Sequence, residues 1–219
     1  QLANDIMQAE RQEALQLLAK LEAYYSEVDF TDHPESEIQT LTGLARYRIE
    51  ERELQIAEDL MQKALQIAQE HDLPNEKIRV NSALAVIYSL RGEQVSAITI
   101  WEDMLEDMSE EHSMWYTILT NLIVAYGYTK QFYRAIDLSY KLLAFYDTHE
   151  NPEGRLVALI NLGNAYRPKS DADKAEECYR EAIRIATEIK NYPYLSYALS
   201  NLSMNLSDQQ RPEEALEVA

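Results

Sequence analysis

Apolar residues return every three or four positions along almost the whole chain, the spacing of helices packed on one face. In "ALINLGNAYRPKSDADKAEECYREAI" that spacing breaks at the polar turn "RPKSDADK" and then resumes, so the stretch predicts two helices joined by a short turn. Three more segments align with it. "LTNLIVAYGYTKQFYRAIDLSYKLL" places Leu122, Tyr126 and Ala135 where the first has Leu162, Tyr166 and Ala175, and "NSALAVIYSLRGEQVSAITIWEDML" supplies Leu84, Tyr88 and Ala97. "LSNLSMNLSDQQRPEEAL" offers Leu202, Leu206 and Ala215, and a less regular fifth copy has Leu44, Arg48 and Ala57. The leucines at 44, 84, 122, 162 and 202 define a period of 38 to 40 residues, the signature of a repeat architecture.

The boundaries carry their own signals. "TDHPES", "EHDLPNE", "THENPEG" and "IKNYPY" separate successive units, and Pro34, Pro74, Pro152 and Pro193 are placed to stop one helix and begin the next. The junction "SEEHSM" lacks a proline. Ser170, with Asp173 three residues on, reads as a capping box opening the second helix of its unit. Composition agrees: with only five glycines and six prolines, and no strand-rich region, the chain reads as all-α.

The pattern resembles the tetratricopeptide repeat. Leu162, Gly163, Tyr166, Ala175, Tyr179 and Ala182 stand at the places where that family has Leu-Gly, Tyr, Ala, an aromatic and Ala, while Ala85, Ile123 and Ser203 replace the Gly163 position and Arg48 replaces the tyrosine. The longer period is similar to that of kinesin light chains and helical domains of large bacterial regulators. The resemblance implies a right-handed superhelix (α-solenoid) of stacked antiparallel helical hairpins, first helices lining a concave side and second helices outside, because one hairpin cannot bury its own apolar face. We expect a single domain over 1–219, a fragment of a larger protein. A leading helix or hairpin occupies 1–30, with Ala14, Leu18 and Leu21 on its packed stripe, followed by repeats at about 36–74, 76–112, 113–152, 154–192 and an incomplete 194–219.

Thirty-eight acidic against twenty basic residues give a net charge of −18, which opposes binding to nucleic acid phosphates or anionic membranes. No stretch is apolar enough to span a bilayer. A lone cysteine, Cys178, points to a reducing, cytoplasmic setting. The charge is segregated: the first-helix stretches 38–49, 78–91, 113–128, 155–167 and 194–207 contain no Asp or Glu, yet hold Arg46, Arg48, Arg79, Arg91, Arg155 and Arg167. Two readings follow. Either the inner surface is a neutral to basic groove, or first helices are more buried and exclude acids while their arginines snorkel.

Asn121, Asn161 and Asn201 each stand directly before the repeat leucine, on a face separate from Leu162, Gly163 and Tyr166 by the helical period. They are expected to line up on neighbouring hairpins, joined by Asn164, Arg167, Arg79, Arg46, Tyr128 and Tyr197. An asparagine amide offers a donor and an acceptor, matching an extended peptide's backbone, and peptide-binding members that this sequence resembles use asparagines there. The alternative is that Asn161 seals repeat to repeat.

His33, His71, His112 and His149 fall at successive junctions, too far apart to share one ion, and are placed near helix C-termini, where positive charge is favoured. No phosphate loop or nucleophile motif appears, so no cofactor, metal or catalysis is expected. Trp115 and Tyr116 are assigned to the core rather than to an exposed patch. The expected function is a non-catalytic module that binds a peptide or a partner protein's extended segment, as the sensory or interaction part of a bacterial regulator. A structural scaffold, with homodimer contacts through the C-terminal end, and a sensor of a small anionic effector are the alternatives.

Overall fold

A computed structural model of the chain describes residues 16–106, 108–169 and 171–218. Among these there is no strand. Helix α1 covers 16–27, and the hairpins follow: α2 (Pro34–Glu50) with α3 (Leu54–Glu70), α4 (Pro74–Arg91) with α5 (Gln94–Glu106), α6 (Trp115–Tyr128) with α7 (Phe132–Thr148), α8 (Pro152–Tyr166) with α9 (Ala172–Glu188), and α10 (Tyr192–Asp208) with α11 (Pro212–Val218). The fold is that of an all-α solenoid of tetratricopeptide-like repeats. Contacts group the chain into two compact units, one ending at Ile100 and one beginning at Trp101.

The repeat residues do the packing. Ala57, Ala97, Ala135 and Ala175 are wholly buried, and Leu44, Leu84, Leu122, Leu162 and Leu202 are buried with them. In the first unit Ile38, Leu41, Ala45, Met61, Ala64, Val80 and Ile87 form one apolar cluster drawn from α2, α3 and α4. The repeat tyrosines fasten each first helix to the second helix before it. Tyr88 donates to Glu58 at 2.9 Å and Tyr126 donates to Glu102. Tyr166 shares a 2.8 Å hydrogen bond with Tyr140. Arg48, in the tyrosine's place, pairs instead with Glu53 and with Glu22 of α1.

Helix ends follow a second, less visible repeat. Arg52, Lys130 and Gln210, four residues after the tyrosine position, have positive φ, as does Gly92 at the same place. Asp72, Glu150 and Lys190 do the same after second helices. Each is followed by a backbone bond closing the helix, such as Leu73 N–H to Ala68 O at 2.9 Å and Gln131 N–H to Tyr126 O at 2.8 Å, the Schellman arrangement. Only Gly92 adopts that conformation without a Cβ penalty. Replacing Asp72 or Lys190 by Gly is therefore expected to raise stability by about 0.5–1 kcal/mol each, the relief of left-handed strain less glycine's extra chain entropy. Urea denaturation of the single variants checks this.

Pro34, Pro74 and Pro152 are first helical residues and Pro193 is the second of α10. Asn151 and Asn191 cap α8 and α10 through their side chains, accepting from Gly154 N–H at 2.9 Å and Tyr194 N–H at 3.3 Å. Where the junction lacks proline, α6 starts at Trp115 rather than 113, without a side-chain cap. Ser170 lies outside the described residues, as does Ala14, and the residue preceding α9 is Asp171, whose side chain makes no cap. His71 and His149 do sit at helix C-termini, but His33 precedes α2, because Pro34 starts the helix one residue later. His112 lies in the turn before α6 and accepts from Met114 N–H.

In the hairpins α6/α7 and α8/α9 the first helix is the more buried. α8 buries Leu156, Ala158, Leu159, Ile160, Leu162, Gly163, Ala165 and Tyr166 around much of its circumference, whereas α9 buries one stripe of Ala175, Cys178, Tyr179, Ala182, Ile185 and Ala186. α6 is similarly packed, so in these two first helices burial accounts for much of the lack of Asp and Glu; α2, α4 and α10 bury no more residues than α3, α7 and α9 do.

Candidate functional site

Within the second unit, α8 packs between α6 and α10, so three first helices form one continuous face. A cleft of about 580 Å³ opens over the C-terminal half of α8, with Asn161, Asn164 and Ala165 as its floor, Val124 and Tyr128 of α6 on one flank, and Tyr197 of α10 on the other. Lys130, Phe132 and Arg167 close its end. Five of the residues singled out from the sequence, Asn161, Asn164, Arg167, Tyr128 and Tyr197, thus meet in one place.

Their chemistry is unequal. Asn161 Nδ2 is buried without a hydrogen-bond partner, a costly state for an amide. Asn164 is already held, its Oδ1 accepting from the Tyr179 hydroxyl at 2.8 Å. Tyr179 is wholly buried, and burial raises its pKa, so it stays a neutral donor. Tyr128 and Tyr197 are 71% and 52% exposed, which makes them aromatic walls rather than core.

Asn121 lies in a second cleft of about 360 Å³ at the N-terminal end of the same face. Gly154 and Val157 of α8 are there, with Tyr116 and Thr120 of α6, Tyr194 of α10, and Glu153. Gly154 is required: a Cβ there would stand 2.3 Å from the Tyr146 ring. Tyr116 is 42% exposed and belongs to this cleft, while Trp115 is buried; the core assignment holds for the tryptophan and not for the tyrosine.

Asn201 is different. It is only 4% exposed, and its Nδ2 has no partner. Asn205, one turn on, is buried and donates to the Ala172 carbonyl at 2.9 Å, tying α10 to the start of α9. Arg46 and Arg79 belong to the first unit, both exposed. Arg79 pairs with Glu76.

Five of the six first-helix arginines have a carboxylate beside them, Arg46 being the exception among the described residues. Arg48, Arg79, Arg91 and Arg155 are matched by Glu53, Glu76, Glu58 and Asp147, and Arg167 lies 3.5 Å from Asp208. The cation in the cleft that has no ion pair among the described residues is Lys130, which sequence reading missed. Its signal was available: it aligns with Gly92, a turn position where a side chain is thrown outward.

No group of three or more His, Cys, Asp or Glu residues that could hold a metal occurs among the described residues. Cys178 is buried, which pushes its thiol up to about 11 and leaves little thiolate to react. No described helix is long and apolar enough to cross a membrane.

Paired helices with a common packing code and a shared inner face define a helical-hairpin repeat protein. Residues 154–219 match the family model of the tetratricopeptide repeat. Solved structures share the fold. BtubC (BKLC) from P. vanneervenii is 23% identical with a TM-score of 0.79, covering 92% of this chain and 86% of that one. A kinesin light chain-like protein of Podosopora anserina with nearly identical TPR-like repeats is 20% identical, TM-score 0.71, covering 86% and 93%. NprR, solved in complex with its cognate peptide NprX, is 16% identical, TM-score 0.71, with 97% of this chain matched to 61% of that chain. No curated protein sequence matches the chain.

Proposed function

We propose that the chain is a non-catalytic protein-interaction module that holds an extended segment of a partner protein on the face made by α6, α8 and α10, as the sensory or interaction part of a bacterial regulatory protein. The observation that carries this is the buried, unpartnered amide of Asn161 in the floor of an open, tyrosine-walled cleft. Because Asn161 lines the open cleft, its unsatisfied donor is placed to take a ligand carbonyl, and an extended backbone presents one on every residue; Asn201, equally unpartnered, lines neither cleft. The fold shared with NprR, solved with a peptide bound, supports the reading.

Asn161→Ala is expected to weaken binding of a peptide selected on the wild-type protein by about tenfold, the worth of one or two amide bonds in a desolvated site. Asn201→Ala, at a buried position, leaves that affinity unchanged. Fluorescence anisotropy on both variants, with circular dichroism to confirm the fold, decides the matter; equal affinity of Asn161→Ala and wild type contradicts the proposal.

A further inference from the structure

The two clefts on the α6–α8–α10 face are built alike but charged oppositely. Each has α8 as floor, with one exposed tyrosine from α6 and one from α10 as walls: Tyr128 with Tyr197 at one end, Tyr116 with Tyr194 at the other. The cleft at the C-terminal end of α8 contains Lys130 and Arg167 and no acid, while the cleft at the N-terminal end contains Glu153 and no cation. Among the described residues neither Lys130 nor Glu153 has an ion pair, and both are exposed. Arg167 has Asp208 beside it, so Lys130 is the cation left to a ligand.

The floors fix a ruler. Gly154 to Val157 and Asn161 to Ala165 are centred about 11 Å apart along α8, and Glu153 and Arg167 about 21 Å apart, at 1.5 Å per helical residue. An extended chain rises about 3.3 Å per residue. Two side chains three or four residues apart therefore reach the two clefts, and charged groups about six residues apart reach the two ends.

We infer that the segment held on this face is dipolar: an acidic side chain sits at the Lys130 end and a basic one at the Glu153 end, about six residues away, with two bulky side chains three or four residues apart between the tyrosine pairs. This rests on the binding role proposed above and names the class of segment. A chain of net charge −18 repels a wholly acidic segment, whereas one acid balanced by one base leaves no net charge to oppose the approach, and the local cation then places the acid.

The test is selection of a displayed random dodecapeptide library on immobilised wild-type protein, on Asn161→Ala, and on the charge-reversed double variant Lys130→Glu, Glu153→Lys. Wild type is expected to enrich sequences with an acid and a base five to seven residues apart, and the double variant to enrich the reversed order. Each chosen peptide should bind its own protein at least tenfold better than the reversed one. Peptides that depend on Asn161 but show no charge spacing, or whose charge order survives the reversal, overturn the inference and leave the binding face intact. Enrichment that Asn161→Ala does not diminish overturns both. Melting temperatures of all the variants confirm that the fold is retained; the two reversed side chains, Lys130 and Glu153, are exposed.

Discussion

Gly163→Ile is expected to cost about 3 kcal/mol or more of stability, and the double variant Gly163→Ile, Tyr179→Ser to regain at least half of it. A Cβ at 163 would stand 2.6 Å from Tyr179 Cε1, and Tyr179 is wholly buried, so the ring has nowhere to go. Overpacking of this kind costs about 1–3 kcal/mol for small additions and more for a branched side chain. The rescue is already present one repeat earlier. Ile123 and Ser139 occupy the positions equivalent to Gly163 and Tyr179, and both are buried, so volume has moved from the second helix to the first. Urea midpoints of the two variants test whether the repeats conserve the summed volume of this pair; a double variant as unstable as the single one contradicts it.

Tyr126→Ala is expected to lose about 3–5 kcal/mol, the range for emptying an aromatic site in a packed core, whereas Tyr126→Phe loses about 1 kcal/mol. Tyr126 is 2% exposed, donates to Glu102, and lies under the Arg134 guanidinium at 4.5 Å. Burial raises the pKa of its hydroxyl, with the Glu102 carboxylate adding to the effect. In the Phe variant Glu102 keeps Arg134 at 2.6 Å, so no charge is stranded. Denaturation curves for the pair separate the ring's packing from its hydrogen bond, and equal losses would mean that the hydroxyl, not the ring, joins α6 to α5.

Most of the fold was legible because the packing code is a matter of spacing. Leucine, tyrosine and alanine recur at fixed intervals, and a period places a residue at a definite angle on its helix. The same logic brought Asn161, Asn164, Arg167, Tyr128 and Tyr197 to one cleft. It misplaced what depends on neighbours rather than on angle. Asn201 shares Asn161's position in its repeat yet is buried, since the period does not fix what packs over it. A neutral to basic groove was one of two readings of the first-helix arginines, but partners such as Glu58 for Arg91 and Asp147 for Arg155 lie on other helices and cannot be paired from spacing. Lys130 was hidden for a different reason: it stands at a left-handed turn, visible only once Gly92 is aligned with it.

The central claim is that a partner segment lies on the inner face of the second unit. Site-specific photo-crosslinking tests it most directly, with benzoylphenylalanine replacing Tyr197 or Tyr128 on the inner face and Tyr140, 50% exposed on the second helix α7, as the outer control. With a library-selected peptide, crosslinks are predicted at 197 and 128 and none at 140. Crosslinks at 140 with none at 197 or 128 would contradict the account.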